Sequence, residues 1–146
     1  MPGKWPKRIT AFPIHLGLGA SAVAEPEFTG ELSWYEGYVD RHRTDGNEAR
    51  LVTMQTFTEP WEVWEMHPVG SEVVLCVSGE VTLHQERPDG TSDTVVLGAE
   101  EYVINEPGTW HTADVEGSAT VLFVLSLIHI SEPTRPPLLS RMPSSA

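Results

Sequence analysis

From Leu51 to Leu125 the chain is cut into short runs of β-branched and aromatic residues, each closed by a turn signal, with almost no 3.6-residue periodicity among them. This punctuation constrains the fold most, because strands so short are stable only when several close around a shared core. The runs are Leu51 to Thr58, Trp61 to His67, Glu72 to Val77, Val81 to Gln85, Thr94 to Leu97, Tyr102 to Ile104, His111 to Val115 and Thr120 to Leu125. Between them stand Pro60, Pro68-Val69-Gly70, Ser78-Gly79, Asp89-Gly90 and Pro107-Gly108, which supply the backbone angles that tight turns need. The pattern predicts an all-β sandwich or barrel.

The flanks are less regular. Leu32 to Val39 (LSWYEGYV) is aromatic enough to read as another strand, with a turn over Arg41 to Asn47 and Asp45-Gly46 as its hairpin tip. Residues 1–30, rich in Pro, Gly and Ala, read as an extended arm or a few irregular edge strands, leaving 31–125 for the barrel. From Ser126 the pattern breaks. Residues 126–146 are rich in proline and serine, and SLIHISEPTR reads like the translation of a sequencing-library adapter. The tail is expected to be disordered and non-native, with a last native strand missing, and His129 is excluded as a ligand with it.

Composition narrows the partners. A chain of 146 residues has room for one domain with a core. Its net charge of -12 repels nucleic acid and anionic lipid, so neither is an expected partner. The longest apolar stretch, Thr120 to Ile128, is too short to span a bilayer. No apolar leader segment precedes a cleavage site, so a cytoplasmic protein is expected. Cys76 is the only cysteine; an internal disulfide is ruled out, and a buried, inert thiol is expected. No nucleophile elbow, phosphate loop or dinucleotide fingerprint occurs.

The residues with chemistry lie in the middle of the chain. In a strand, positions i and i+2 share a face, so Glu65 and His67 point together, alongside Trp61 and Val63. Glu72 opens the strand that returns after the turn at Pro68-Val69-Gly70-Ser71, and can face the same interior. His111 begins a strand just after Pro107-Gly108. Two imidazoles and one or two carboxylates make a site for a divalent cation, with Fe, Mn, Zn and Ni all compatible. Glu65, His67, Glu72 and His111 are therefore the candidate metal ligands, and Glu65 or Glu72 the candidate general base. Strand parity adds Val74, Cys76, Tyr102, Ile104 and Ala113 to Trp61 and Val63 as the expected pocket lining. His15, His42 and His84 read as hydrogen-bonded surface residues, and Glu62 as part of a solvated face.

These residues carry a resemblance. Trp64 to Gly79 (WEMHPVGSEVVLCVSG) resembles the first motif of the cupin superfamily, a paired HxH followed by a glutamate and a glycine, with His67, Glu72 and Gly79 at the expected intervals. Gly98 to His111 (GAEEYVINEPGTWH) resembles the second motif, which ends in the histidine His111. The chain departs from the pattern at Glu65, where the first histidine of HxH is usual, and at Glu106 and Val115 in and after the second motif. The resemblance implies a small antiparallel jelly-roll barrel, a bound metal, a small organic molecule as partner, and pairing into a homodimer through N-terminal strands. For function it implies a metal-dependent enzyme, dioxygenase-like or isomerase-like, or else a non-catalytic ligand-binding or sensor barrel. A purely structural oligomerisation barrel has no need of four such side chains on one interior.

Overall fold

The computed structural model describes residues 4–127 and the backbone of a two-residue strand at 134–135. Its elements are β1 (Ile14–Gly17), β2 (Ser21–Ala24), α1 (Leu32–His42), β3 (Arg50–Phe57), β4 (Trp64–Glu65), β5 (Glu72–Glu86), β6 (Ser92–Leu97), β7 (Tyr102–Asn105), β8 (Trp110–Leu125) and β9 (Thr134–Arg135). No helix among the described residues is long and apolar enough to cross a membrane.

Two long strands organise the rest. β5 and β8 pair antiparallel along almost their whole length, from Val73↔Val124 to Glu86↔Trp110, with register shifts between Cys76 and Ser78 and between Gly79 and Val81. Bulges of this kind bend a strand and sharpen its twist, so each long strand serves two sheets. One sheet runs β2-β1-β3, the C-terminal half of β8, the N-terminal half of β5, then β7. The other runs β9-β4, the N-terminal half of β8, the C-terminal half of β5, then β6. The antiparallel jelly roll read from the sequence is the fold observed. Ser78-Gly79 was expected to be a hairpin turn; it is instead the bulge of a continuous β5, and the two runs flanking Gly117 are likewise one strand.

Inward side chains of both sheets, among them Val74, Cys76, Leu83, Ala113, Val121 and Phe123, form the main core. Cys76 is fully buried there, as expected. A second cluster is built by α1. Leu32 to Val39, read as a strand, is helical, because Trp34, Tyr38 and Val39 recur at helical spacing and pack with Ala49 and Leu51. Aromatic content favoured a strand; the one-sided apolar stripe decided for a helix. The expected hairpin at Asp45-Gly46 is a short 3-10 segment that leads from α1 into β3, with Gly46 at φ 66°.

The N-terminal arm is more ordered than expected. β1 and β2 form a hairpin whose first strand covers the edge of β3. His15, expected at the surface, is buried, because Tyr38 Oη and Asp45 satisfy its two ring nitrogens at 2.7 Å each. Ser126 and Leu127, read as the start of the tail, are packed on the barrel, with Leu127 against both clusters. Thr134 and Arg135 pair with Glu65 and Trp64, which corrects the expectation that the tail from Ser126 is disordered throughout. The remaining expectations for the tail concern residues outside those described.

Gly79 is where the bend is most exacting. It sits at φ 81°, and a Cβ there would come within 2.1 Å of the Ser118 carbonyl oxygen. Gly79→Ala meets both left-handed strain and a backbone clash, and is expected to destabilise by about 3 kcal/mol, lowering Tm by roughly 10 °C in a thermal melt. A melt unchanged within about 2 °C would show that the bend does not depend on this residue.

Candidate metal centre

The site forms where the two sheets face one another. In the second sheet, Glu65, His111 and Gln85 are direct cross-strand partners on β4, β8 and β5, so their side chains stand in one row. In the first sheet Glu72 and Asn105 are partners on β5 and β7. The rows meet inside the barrel. Gln85 Nε2 donates to Asn105 Oδ1 at 2.7 Å, and Asn105 Nδ2 donates to Glu72 Oε1 at 3.1 Å. Glu72 Oε1 also stands 2.9 Å from His111 Nε2 and 3.7 Å from His67 Nε2.

Glu65, His67 and His111 each direct one ligand-capable atom into a common space, all within 4.8 Å of one another. His67 is delivered by the loop after β4, and its carbonyl accepts from Gly108 N–H at 3.0 Å. The Pro107-Gly108 turn, expected only to lead into His111, is thereby also bonded to the segment that carries His67. Glu65, His67 and His111 form the group, and Glu72 stands beside the two histidines, although Trp61 to His67 is not the continuous strand expected; only Trp64–Glu65 is paired as strand.

The protonation of His111 follows from its partners. The Thr109 carbonyl, 3.1 Å from Nδ1, can only accept, so Nδ1 carries a proton. In the neutral ring Nε2 is then a lone pair. It is buried without an aligned hydrogen-bond partner, and its near neighbour is the Glu72 carboxylate, itself an acceptor. Two acceptors 2.9 Å apart need a positive charge between or beside them, supplied either by a second proton on the imidazole or by a cation. Ligand atoms each about 2.1 Å from one ion lie roughly 3.0 Å apart at octahedral angles and 3.4 Å at tetrahedral angles. The 2.9 and 3.7 Å separations bracket those values. An Nδ1–H···O=C bond that aims Nε2 inward is also the usual outer-shell support of a metal-binding histidine. The donor set fits a divalent ion.

Burial works against the charge on Glu72, but the contacts with His111, His67 and Asn105 outweigh it and hold its carboxyl below the ordinary value of 4.5. The group is thus ionised and acceptor-only in the folded chain.

The cluster lies at one end of a cavity of about 800 Å³. Trp61, Val63, Glu65, His67 and Glu72 line it, as do Phe57 and Phe123, while Leu32, Tyr35 and Val39 of α1 close another side. The expected lining holds for Trp61 and Val63. Val74, Cys76 and Ala113 belong to the packed core instead. Tyr102 and Ile104 face outward, 63% and 43% exposed, since their β5 partners Leu75 and Val73 are on the outer face. Parity across β7 is therefore the reverse of the one assumed, and brings Val103 and Asn105 inward. Gln85 and Asn105 were missed as site residues. The available signal was their parity with Leu83 and Val103, two inward apolar positions. His84, read as a surface residue, pairs with Asp114 across the outer face at 2.8 Å.

No protein-family model and no curated protein matches the chain. Solved structures do resemble it. One is a double-stranded β-helix protein from Klebsiella pneumoniae, 20% identical, covering 60% of this chain and 76% of that one, with a TM-score of 0.49. A cupin-2 domain protein from Shewanella frigidimarina is 16% identical over 53% of this chain and 70% of its own, with a TM-score of 0.45. Hydroquinone 1,2-dioxygenase from Sphingomonas is 15% identical over 51% of this chain and 57% of its own, with a TM-score of 0.44. These are likenesses of a barrel; the site is read from its own geometry.

The depressed Glu72 pKa has a stability consequence. Its contribution is fully present above the ordinary value of 4.5 and is lost as pH falls through the lower folded value. In metal-free protein, Glu72→Gln is expected to flatten the acid limb of stability against pH below about 4.5, measured by urea denaturation. An acid limb as steep as that of the unmutated chain would show that this carboxylate is not held in its ionised form.

Proposed function

We propose that this barrel is a metal-dependent enzyme of the cupin type acting on a small organic molecule, with Glu65, His67, Glu72 and His111 holding one divalent cation (Fe, Mn, Zn or Ni). The observation that carries the proposal is His111 Nε2, 2.9 Å from the buried Glu72 carboxylate while Nδ1 is committed to Thr109 O, beside a cavity large enough for a small organic molecule that Glu65, His67 and Glu72 line. A bound ion would supply Lewis acidity or an oxygen-activating centre. The protein supplies the rest. Glu72, locked by Asn105 and His111, holds charge. Glu65 is only partly buried and lines the cavity, so its carboxylate is the group placed to take or return a proton. Tyr35 and the aromatic wall exclude water from the bound molecule.

Metal analysis of the purified chain is expected to give about one ion per chain. His111→Ala is expected to abolish retention, and Asn105→Leu, which removes the amide between Gln85 and Glu72 without removing a ligand, to weaken affinity by about 10–100-fold. Retention unaffected by His111→Ala overturns the ligand set. Oxygen uptake or isomerised product across catechols, thiols and diketones separates the enzyme from the alternative, a non-catalytic ligand-binding or sensor barrel, which would bind them unchanged.

The proposal also takes the chain as a homodimer. The outer face of the first sheet carries the apolar row Ile104, Val73, Val124, Val52 and Ile14 across five strands, beside Tyr102, Leu75, Leu122 and Met54. An exposed apolar face can be covered by the same face of a second copy about a two-fold axis. Sedimentation velocity is expected to report a dimer that Leu75→Glu converts to monomer; a monomer at all concentrations removes this part of the proposal.

A further inference from the structure

Apart from His67, the titratable charge lining the cavity is acidic. Glu59, Glu62, Glu65 and Glu72 line it, and among the described residues no lysine or arginine does. A divalent ion held by Glu65 and Glu72 with neutral histidines brings the inner end to zero, because two negative charges meet two positive ones. Glu59 and Glu62, both exposed, then leave the outer part negative. A chain with net charge -12 adds a field of the same sign. The wall between is aromatic: Trp61 lies 5.7 Å from both Phe57 and Phe123, ring centroid to ring centroid. Aromatic faces attract cations and stack on flat apolar groups, and do nothing for an anion. Tyr35 adds to this environment. Burial raises its pKa, with Glu65 reinforcing the shift, so its phenol stays neutral and offers no positive charge.

We infer that the cavity selects a small arylalkylamine in its ammonium form and rejects carboxylates and phosphates of the same size. The inference rests on the reading of this cavity as the substrate site, and it names the substrate class for it. An anion entering would meet two rim carboxylates, an ion already neutralised and no donor cation, so its desolvation would go uncompensated. A protonated amine would find carboxylates near the mouth and π faces along the wall, with its ring filling the apolar part.

Three probes of nearly one shape test this: 2-phenylethylamine, 2-phenylethanol and phenylacetate, titrated calorimetrically into the full chain, metal-loaded and metal-stripped. The amine is expected to bind at least tenfold more tightly than the alcohol, and the alcohol at least tenfold more tightly than phenylacetate. The amine preference is expected to shrink in 0.5 M salt, as rim electrostatics require, and to fall towards unity in the exposed double variant Glu59→Gln/Glu62→Gln. Phenylacetate binding as well as the alcohol, an amine preference untouched by the double variant, or no saturable binding by any probe overturns the inference. Metal content, read separately, keeps the two claims apart. Amine preference in a chain that holds no metal sinks the metal reading and leaves this one standing. A one-to-one metal complex that prefers phenylacetate does the reverse.

Discussion

The buried carboxylate of Glu72 is the constraint around which the barrel is organised. It is 3% exposed, and an ionised carboxylate removed from water costs several kcal/mol unless donors or a cation answer it. Four strands contribute to, or support, that answer. Gln85 and Glu72 come from the two ends of β5, Asn105 from β7, and His111 from β8, opposite Glu65 on β4. The chain Gln85→Asn105→Glu72 has one sense only. Asn105 accepts with its carbonyl and donates with its amide, so each amide is fixed in orientation and the carboxylate stays an acceptor.

This convergence depends on the bend in the long strands. Were β5 straight, Glu72 and Gln85 would lie at opposite ends of a ribbon, more than about 40 Å apart at 3.3 Å per residue. The bulges around Gly79 fold that ribbon over, so that both ends look into one interior. Gly79 is thus tied to the site without touching it. Where the sheets press together beside the bend, the interior is apolar and packed. Elsewhere Phe57, Trp61 and Phe123, together with Leu32, Tyr35 and Val39 of α1, line the cavity instead.

How far the sequence disclosed this arrangement depended on which physical signal was local. Alternation and turn chemistry exposed the strands. The i, i+2 rule paired Glu65 with His67, although His67 reaches the group from the loop after β4 and not from a strand, and the Pro107-Gly108 turn located the entry of His111. Where the outcome was set by distant packing, the reading failed. LSWYEGYV has strand-like composition, yet its apolar stripe finds a helical docking surface on Ala49 and Leu51. Ser78-Gly79 has turn chemistry, but its positive φ serves a bulge, because β8 offers pairing partners on both sides of it. The parity of β7 could be set only by its register with β5, and that register is a tertiary fact. Gln85 and Asn105 read as ordinary polar strand residues until the sheets bring them face to face.

One alternative to a metal centre is a merely structural polar core. A buried histidine–carboxylate pair that serves only packing is most stable when the imidazole N–H points along the line to the oxygen. In His111 the Nδ1 proton is directed the other way, to Thr109 O, so Nε2 can donate to the carboxylate only if the ring carries a second proton. A second proton on the ring would repair the pair, but at the cost of a buried imidazolium close to the ring of His67, 5.2 Å away. A single divalent ion removes both difficulties, because it needs the lone pair where it is and the carboxylate where it is. Replacing such a cluster with apolar residues of like volume is commonly neutral or stabilising for a fold. The side chains are arranged as if for something the barrel must hold, rather than for the barrel itself.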